Sequence, residues 1–247
     1  MICSFTQTYS NNRYALYNYH NKDKVDIYFR NKMDKNFYAF HNSPYDYQQE
    51  ILKNSYFSDI NPEIIRYDNI SYTQSFLQSL SIMQSEGFKY MFFLQDDVFS
   101  RATNEDIDNL LDYIKTNDFD MLNLEAVGIA SQYKYDNNNL KIYDTTSDDF
   151  MKTLFWSADD AIYKNMWAFD DSPYVAKISF LFDAIYDKEY FEKNDICNAE
   201  WHLKYKIEKS PVQRLTTNVQ FFERIGIVGP NAWNAHNELK KLCRLFS

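Results

Sequence analysis

The apolar positions in the first half of the chain change period several times, and each change predicts an element. Ile2 to Thr6 reads as a short strand running into a polar turn, Gln7 to Arg13. Val25 to Phe29 (VDIYF) predicts a second strand and Ile64 to Tyr67 a third. From Ser71 to Glu86, Phe76, Leu77, Leu80 and Met83 share one face at helical spacing, with Ser71 as N-cap and Gly87 as the stop. Lys89 to Leu94 (KYMFFL) is a continuous apolar run, as expected of a strand buried on both faces, and it ends abruptly in Gln95-Asp96-Asp97. Thr103, answered by Asp106, caps a further helix whose inner face is Ile107, Leu110, Leu111 and Ile114. Asp120 to Leu124 is again a strand. Strand, helix, strand, helix, strand predicts an α/β layered fold with a mostly parallel central sheet.

Beyond about residue 130 the pattern loosens. Tyr133 to Tyr143 reads as a hairpin, with Asp136 to Asn139 as its turn. Helices are expected near Asp159 to Tyr163, Val175 to Tyr186 and Trp201 to Lys209. A late strand is expected at Phe221 to Val228 and a C-terminal helix at Asn234 to Leu245. No stretch rich in Gly, Pro or Ser separates the halves, so 1–130 and 131–247 are read as two parts of one domain.

Composition narrows the function classes. Of 247 residues, 45% are hydrophobic, enough for a core. The aromatic share, 18%, accompanies abundant Asn, Lys, Asp and Ile and is read as genome bias, not as evidence of stacking on sugars or bases. A net charge of -9 without a basic stripe argues against nucleic acid as a partner. It also disfavours anionic substrates unless a metal ion supplies positive charge locally. Cys3, Cys197 and Cys243 are far apart and odd in number, which suggests free thiols in a reducing compartment. No leader-like segment opens the chain and no apolar run approaches the ~20 residues of a membrane span, so a cytoplasmic protein is expected. The C-terminal LKKLCRLF leaves a peripheral contact with a partner or membrane surface open.

Candidate chemistry centres on FFLQDDVFS, Phe92 to Ser100. A buried parallel strand delivers its last residues to the carboxyl edge of the sheet, where α/β folds place ligands. Two adjacent carboxylates there repel each other, and a divalent cation relieves that repulsion. Hard oxygen donors in a partly open site suit Mg²⁺ or Mn²⁺ bridging a diphosphate. Asp118-Phe-Asp120 matches a DxD pattern in letters but precedes its strand, at the wrong edge. Asp148-Asp149, Asp159-Asp160 and Asp170-Asp171 follow no apolar strand and are read as solvated loops.

The run YMFFLQDDVF resembles the DxD-type segment of GT-A fold nucleotide-sugar glycosyltransferases, in a QDDV form of their EDDV variant. The resemblance implies a Rossmann-like sandwich with a nucleotide-sugar-binding part over 1–130 and an acceptor-binding part over 131–247. Asp97 would be the metal ligand, and Asp96 would hold the ribose or the metal's water. FTQTYSNNR follows the first strand as the nucleotide-contacting turn does in such enzymes, which places Thr6, Thr8, Tyr9 and Arg13 near base and phosphates. DNISYTQSFLQSL resembles the segment leading into the helix before the metal strand, with Asp68, Ser71 and Gln74 beside the nucleotide. His236, in GPNAWNAH, matches a C-terminal histidine that closes the metal site in some relatives.

An inverting transfer needs a carboxylate to take the acceptor hydroxyl's proton. NAEWHLKYKI loosely resembles the family's ED motif, with Trp201 in place of the Asp, and makes Glu200 the candidate base; Asp183 and Asp195 are the alternatives. A retaining mechanism would need no such base. The expected activity is transfer of a sugar from a nucleotide-sugar donor, UDP-linked by family frequency, to a hydroxyl of a glycan or glycoconjugate. Two other readings stand beside it: a degenerate carbohydrate-binding or scaffold protein of the same fold, and a nucleotidyltransferase. The second is disfavoured because the four glycines (Gly87, Gly128, Gly226 and Gly229) build no phosphate loop near the N-terminus.

Overall fold

The computed structural model describes residues 1–8, 24–96, 98–124, 142–144, 173–185, 214–217, 219 and 221–224. Among them an eight-stranded sheet runs in the order β3-β2-β1-β4-β8-β6-β9-β7. Its strands are β1 (Ile2–Thr8), β2 (Lys35–His41), β3 (Glu63–Tyr67), β4 (Tyr90–Gln95), β6 (Met121–Asn123), β7 (Ile142–Asp144), β8 (Tyr174–Lys177) and β9 (Arg214–Thr217). A short ribbon pairs β5 (Val98–Ser100) antiparallel with β10 (Phe222–Arg224). β3, β2, β1, β4, β6 and β9 point one way; β8 and β7 oppose them. Strands from both halves of the chain thus share one sheet.

Six helices flank it among the described residues: α1 (Lys24–Asn31), α2 (Tyr45–Leu52), α3 (Ser55–Ile60), α4 (Tyr72–Ser85), α5 (Asn104–Thr116) and α6 (Ile178–Ile185). Alternation along the strands sorts two cores. Cys3, Phe5, Phe37, Ala39, Met91 and Phe93 face α4 and α6. On the other face, Phe92 and Leu94 join Phe29 of α1 and the inner stripe of α5, while Tyr38 and Phe40 pack on α2 and α3. The mostly parallel α/β sandwich read from the sequence is the observed fold.

The predicted caps form. Ser71 and Gln74 make a reciprocal capping box at α4, and Thr103 and Asp106 make one at α5. Gly87, at φ 83, ends α4, with the Phe88 amide donating back to the Met83 carbonyl.

Several readings need correction, beginning with the polar turn at Gln7, which continues β1 to Thr8. Val25 to Phe29 is not a strand: it lies in α1, whose buried stripe is Asp26, Phe29 and Arg30. The second strand in the chain is Lys35–His41, which the sequence reading passed over. The segment read as one helix from Val175 begins as strand β8, which fills the gap between β4 and β6, and turns helical only at Ile178. The Tyr133 to Tyr143 hairpin and the helices expected near Asp159, Trp201 and Asn234 lie outside the described residues, apart from Ile142 and Tyr143 in β7.

Asp118, of the misleading D-F-D, sits at the amino edge of the sheet. Lys177 reaches it at 2.8 Å and Lys89 at 3.1 Å. Hydrogen bonds from Lys177 and then Lys89 lower its pKa from the ordinary 3.8 to about 2. A depressed carboxyl contributes stability above its unfolded value and loses it as pH falls through its folded value. The urea midpoints of wild type and Asp118→Asn should therefore differ slightly above pH 3.8 and converge as pH approaches 2. Solvent screening keeps that difference small, and midpoints running parallel down to the lowest pH would contradict the assignment.

Candidate functional site

The carboxyl edge of the parallel strands gathers several polar side chains. β1 and β4 are register neighbours, with Gln7 opposite Gln95, so their next residues, Thr8 and Asp96, leave the sheet side by side. The Thr8 hydroxyl donates to Oδ2 of Asp96. Thr8 is fully buried, whereas Asp96 is half-buried. Thr8 thus orients the carboxylate of a residue that is neither buried nor fully exposed. β4 can deliver it to the edge because Tyr90 to Leu94 is buried throughout, which holds the strand at full length inside the sheet.

Tyr47, from α2, shares a hydrogen bond with the Thr8 side chain. Burial, and next the negative charge of Asp96, pushes its phenol up, so it remains neutral at ordinary pH. Carboxylate, threonine hydroxyl and phenol thus form one polar group drawn from β4, β1 and α2. Sequence reasoning missed Tyr47. Its only signals were Pro44 just ahead of the helix and the Tyr47/Ile51 pair at i, i+4.

On the opposite face Gln7 is fully buried and donates through Nε2 to Ser75 Oγ at 3.2 Å. Ser75 spends its own proton on the Tyr72 carbonyl, so the Gln7 amide must present its nitrogen there. That leaves Gln7 Oε1 a buried acceptor without a hydrogen-bond partner among the described residues. Gln7 too was overlooked, because its segment was read as a turn and not as the last part of a strand.

The other expected site residues fall as follows. Thr6 is buried and turned inward; its hydroxyl accepts from Arg30 Nη1 at 2.7 Å. Ser71 and Gln74 serve the α4 capping box. Asp68 is exposed just after β3, on the same edge as Thr8 and Asp96. There the loops are laced together: His41 Nε2 meets the Ile70 carbonyl at 3.0 Å, and Asn42 Oδ1 accepts from the Asn69 amide at 2.7 Å. Asp183 is exposed on α6, on the face of the sheet away from Thr8 and Asp96. Tyr9, Arg13, Asp97, Glu200 and His236 lie outside the described residues.

Among the described residues no group of three or more His, Cys, Asp or Glu side chains is placed to hold a metal by itself. Asp96 with its neighbouring hydroxyls offers hard oxygen donors only. Such a set suits an ion bound through one or two carboxylates, water and a ligand's phosphates rather than an all-protein cage. No helix among the described residues is long and apolar enough to cross a membrane.

The chain matches no protein-family model and no curated protein sequence. Solved structures do resemble it. S. aureus TarS, residues 1–349, superposes with a TM-score of 0.53 at 10% identity over 99% of this chain, which spans 65% of that one. The same TarS fragment has been solved in complex with UDP, again with a TM-score of 0.53. A protein described as a glucose-1-phosphate thymidylyltransferase from Bacillus anthracis, in complex with a sucrose, superposes with a TM-score of 0.52 at 8% identity, covering 97% of this chain and 95% of that one. At such identities the likeness establishes the fold: this chain is built on the α/β sandwich of those nucleotide-handling proteins.

Proposed function

We propose that the chain is a metal-dependent glycosyltransferase. It moves a sugar from a nucleotide-sugar donor, UDP-linked, to a hydroxyl of a glycan or glycoconjugate acceptor, with inversion. One observation carries the reading: a half-buried carboxylate, Asp96, stands at the carboxyl edge of the parallel strands with its orientation set by Thr8. Ligands of open α/β sheets bind at that edge. The UDP complex of TarS, a protein of this fold, supports the choice of nucleotide.

In this reading Asp97 and Asp96 hold Mn²⁺ or Mg²⁺, with His236 as a further ligand. A divalent ion there supplies positive charge against the leaving diphosphate, which an acidic chain otherwise lacks. Tyr9 and Arg13 would meet base and phosphates, and Thr8, bonded in turn to Tyr47, orients the Asp96 carboxylate. Glu200 accepts the proton of the acceptor hydroxyl. The acceptor oxygen bonds to the anomeric carbon as that carbon's bond to the diphosphate breaks.

Thermal denaturation with a panel of nucleotide sugars, with and without Mn²⁺, tests the proposal. A ligand at a hundred times its Kd stabilises the native state by about 2.7 kcal/mol. At roughly 2–4 °C per kcal/mol for a chain of this size, that raises Tm by about 5–11 °C. The rise should require Mn²⁺. If no nucleotide sugar at millimolar concentration moves Tm, the donor assignment falls.

A second reading is a nucleotidyltransferase, since the glucose-1-phosphate thymidylyltransferase shares this fold. A nucleotidyltransferase would release pyrophosphate from a nucleoside triphosphate and a sugar phosphate. The proposed transferase releases nucleoside diphosphate from a nucleotide sugar, and product analysis separates the two.

A further inference from the structure

Two loops at the carboxyl edge are locked together by one asparagine. β2 and β3 pair up to His41 and Tyr67, and the Asn42 amide makes one more bond, to the Tyr67 carbonyl at 2.8 Å. The two chains then part, one toward α2 and the other toward α4. Beyond that point the Asn42 side chain stands in for a missing peptide group. Its Oδ1 accepts from the Asn69 amide at 2.7 Å, and its Nδ2 donates to the Ile70 carbonyl at 3.4 Å. His41 Nε2 meets the same carbonyl at 3.0 Å. Asn42 and Asn69 both hold a positive φ, 50° and 59°, which asparagine tolerates better than most residues.

Asp68 lies between the two points that Asn42 holds. The carbonyl before it and the amide after it both bond to Asn42, so its backbone is fixed from both sides. Tyr67, one residue earlier, is buried, and its hydroxyl shares a hydrogen bond with Ser79 of α4 at 2.9 Å. Asp68 itself is exposed, and among the described residues its carboxylate makes no hydrogen bond or ion pair. An exposed carboxylate on a loose loop is an ordinary solubilising group. One whose backbone is clamped by a neighbouring strand end is a preorganised acceptor, because ordering it costs a ligand little entropy.

Its place on the sheet says which part of a ligand it meets. β3 and β4 are three strand spacings apart, ~14 Å. In register Asp96 falls level with Thr8, Phe40 and Arg66, so Asp68 stands two residues, ~7 Å, further out. With the diphosphate at Asp96, a nucleoside laid across the ends of β1 and β2 carries its ribose and base toward Asp68. Those are the parts of such a ligand that offer hydrogen-bond donors to a carboxylate; the diphosphate offers none. We infer that Asp68 accepts a hydrogen bond from the nucleoside end of the donor, from a ribose hydroxyl or a base N–H, and that Asn42 is the positioning residue that fixes it there. This role rests on the proposed function for the identity of the ligand.

Calorimetric titration of UDP and of inorganic pyrophosphate, each with Mn²⁺, tests this, together with amide hydrogen exchange of the ligand-free protein. Asp68→Ala should raise the UDP Kd by about 10–100-fold, the range for a hydrogen bond to a charged group, and leave Tm and the pyrophosphate Kd unchanged. Deoxyuridine diphosphate then locates the donor group, and either result supports the contact. A loss confined to UDP assigns the ribose hydroxyl that the deoxy sugar lacks, and an equal loss on both assigns a donor they share. Asn42→Gly keeps the positive φ without strain and removes only the side chain. It should speed exchange at the Asn69 amide and raise the UDP Kd by about 2–10-fold. Asp118→Asn, at the amino edge, should change neither Kd. An Asp68→Ala protein that binds UDP as wild type does, or loses pyrophosphate as much as UDP, overturns the role of Asp68 and leaves the donor reading standing. An Asn69 amide that exchanges at the wild-type rate in Asn42→Gly overturns the positioning by Asn42. Wild type that takes up no UDP with Mn²⁺ overturns the donor reading and the ligand role of Asp68 together.

Discussion

Asp96→Asn is expected to cut metal-dependent turnover by about 10²–10³-fold, because several kcal/mol of charge stabilisation on the leaving diphosphate are at stake and each 1.36 kcal/mol is tenfold in rate. The substitution preserves shape, and an amide oxygen can still accept from the Thr8 hydroxyl. Tm without ligand should therefore change little, while the Mn²⁺-dependent rise with nucleotide sugar disappears. Asp118→Asn is the matched control. It alters a D-F-D by letter, but its carboxylate serves Lys177 and Lys89 at the amino edge. Steady-state rates over a Mn²⁺ titration decide the matter: an Asp96→Asn enzyme with wild-type rate and wild-type metal dependence removes Asp96 from the metal site.

Phe92→Ala is expected to destabilise the fold by about 3–5 kcal/mol, the usual cost of removing a buried aromatic ring. Phe92 is fully buried on β4, between β1 and β8. Its ring meets Phe29 of α1 edge-on at 5.0 Å, and Phe29 meets Phe222 of β10 in the same manner at 5.2 Å. The void would open where sheet, helix and ribbon join. Against a typical total of roughly 5–15 kcal/mol, such a loss takes a large share of the protein's stability. Urea denaturation measures it. A loss under about 1 kcal/mol would mean that the cluster is not packed as described.

The parts of this chain that could be read early carry their signal within a few residues. The capping boxes at Ser71/Gln74 and Thr103/Asp106 each close over three residues, so both helix starts were legible. KYMFFL followed by Gln95-Asp96 was legible as a strand end because an apolar run cannot continue into charge without leaving the core. α1 was not. Its inward stripe includes Asp26 and Arg30, and charged residues count as surface until Ser4, Thr6, Tyr56 and Ser100 are known to meet them. Tyr47 was hidden in a helix whose N-cap, Pro44, makes no side-chain bond. Thr6 and Thr8 look alike in sequence, yet Thr6 engages Arg30 while Thr8 engages Asp96.

By itself the sequence determined the α/β class, both ends of α4, the start of α5, the buried strand β4 and the acid at its tip. Each depends on local periodicity or on bonds between near neighbours, which any window of the chain reveals. Only the tertiary structure decided that 24–31 is a helix, that Tyr174–Lys177 slots between β4 and β6, and that Tyr47 joins Thr8 at Asp96. A strand needs a free edge to pair with, and a buried charge needs partners. Both are supplied by residues tens of positions away, so neither is written in the segment that depends on them.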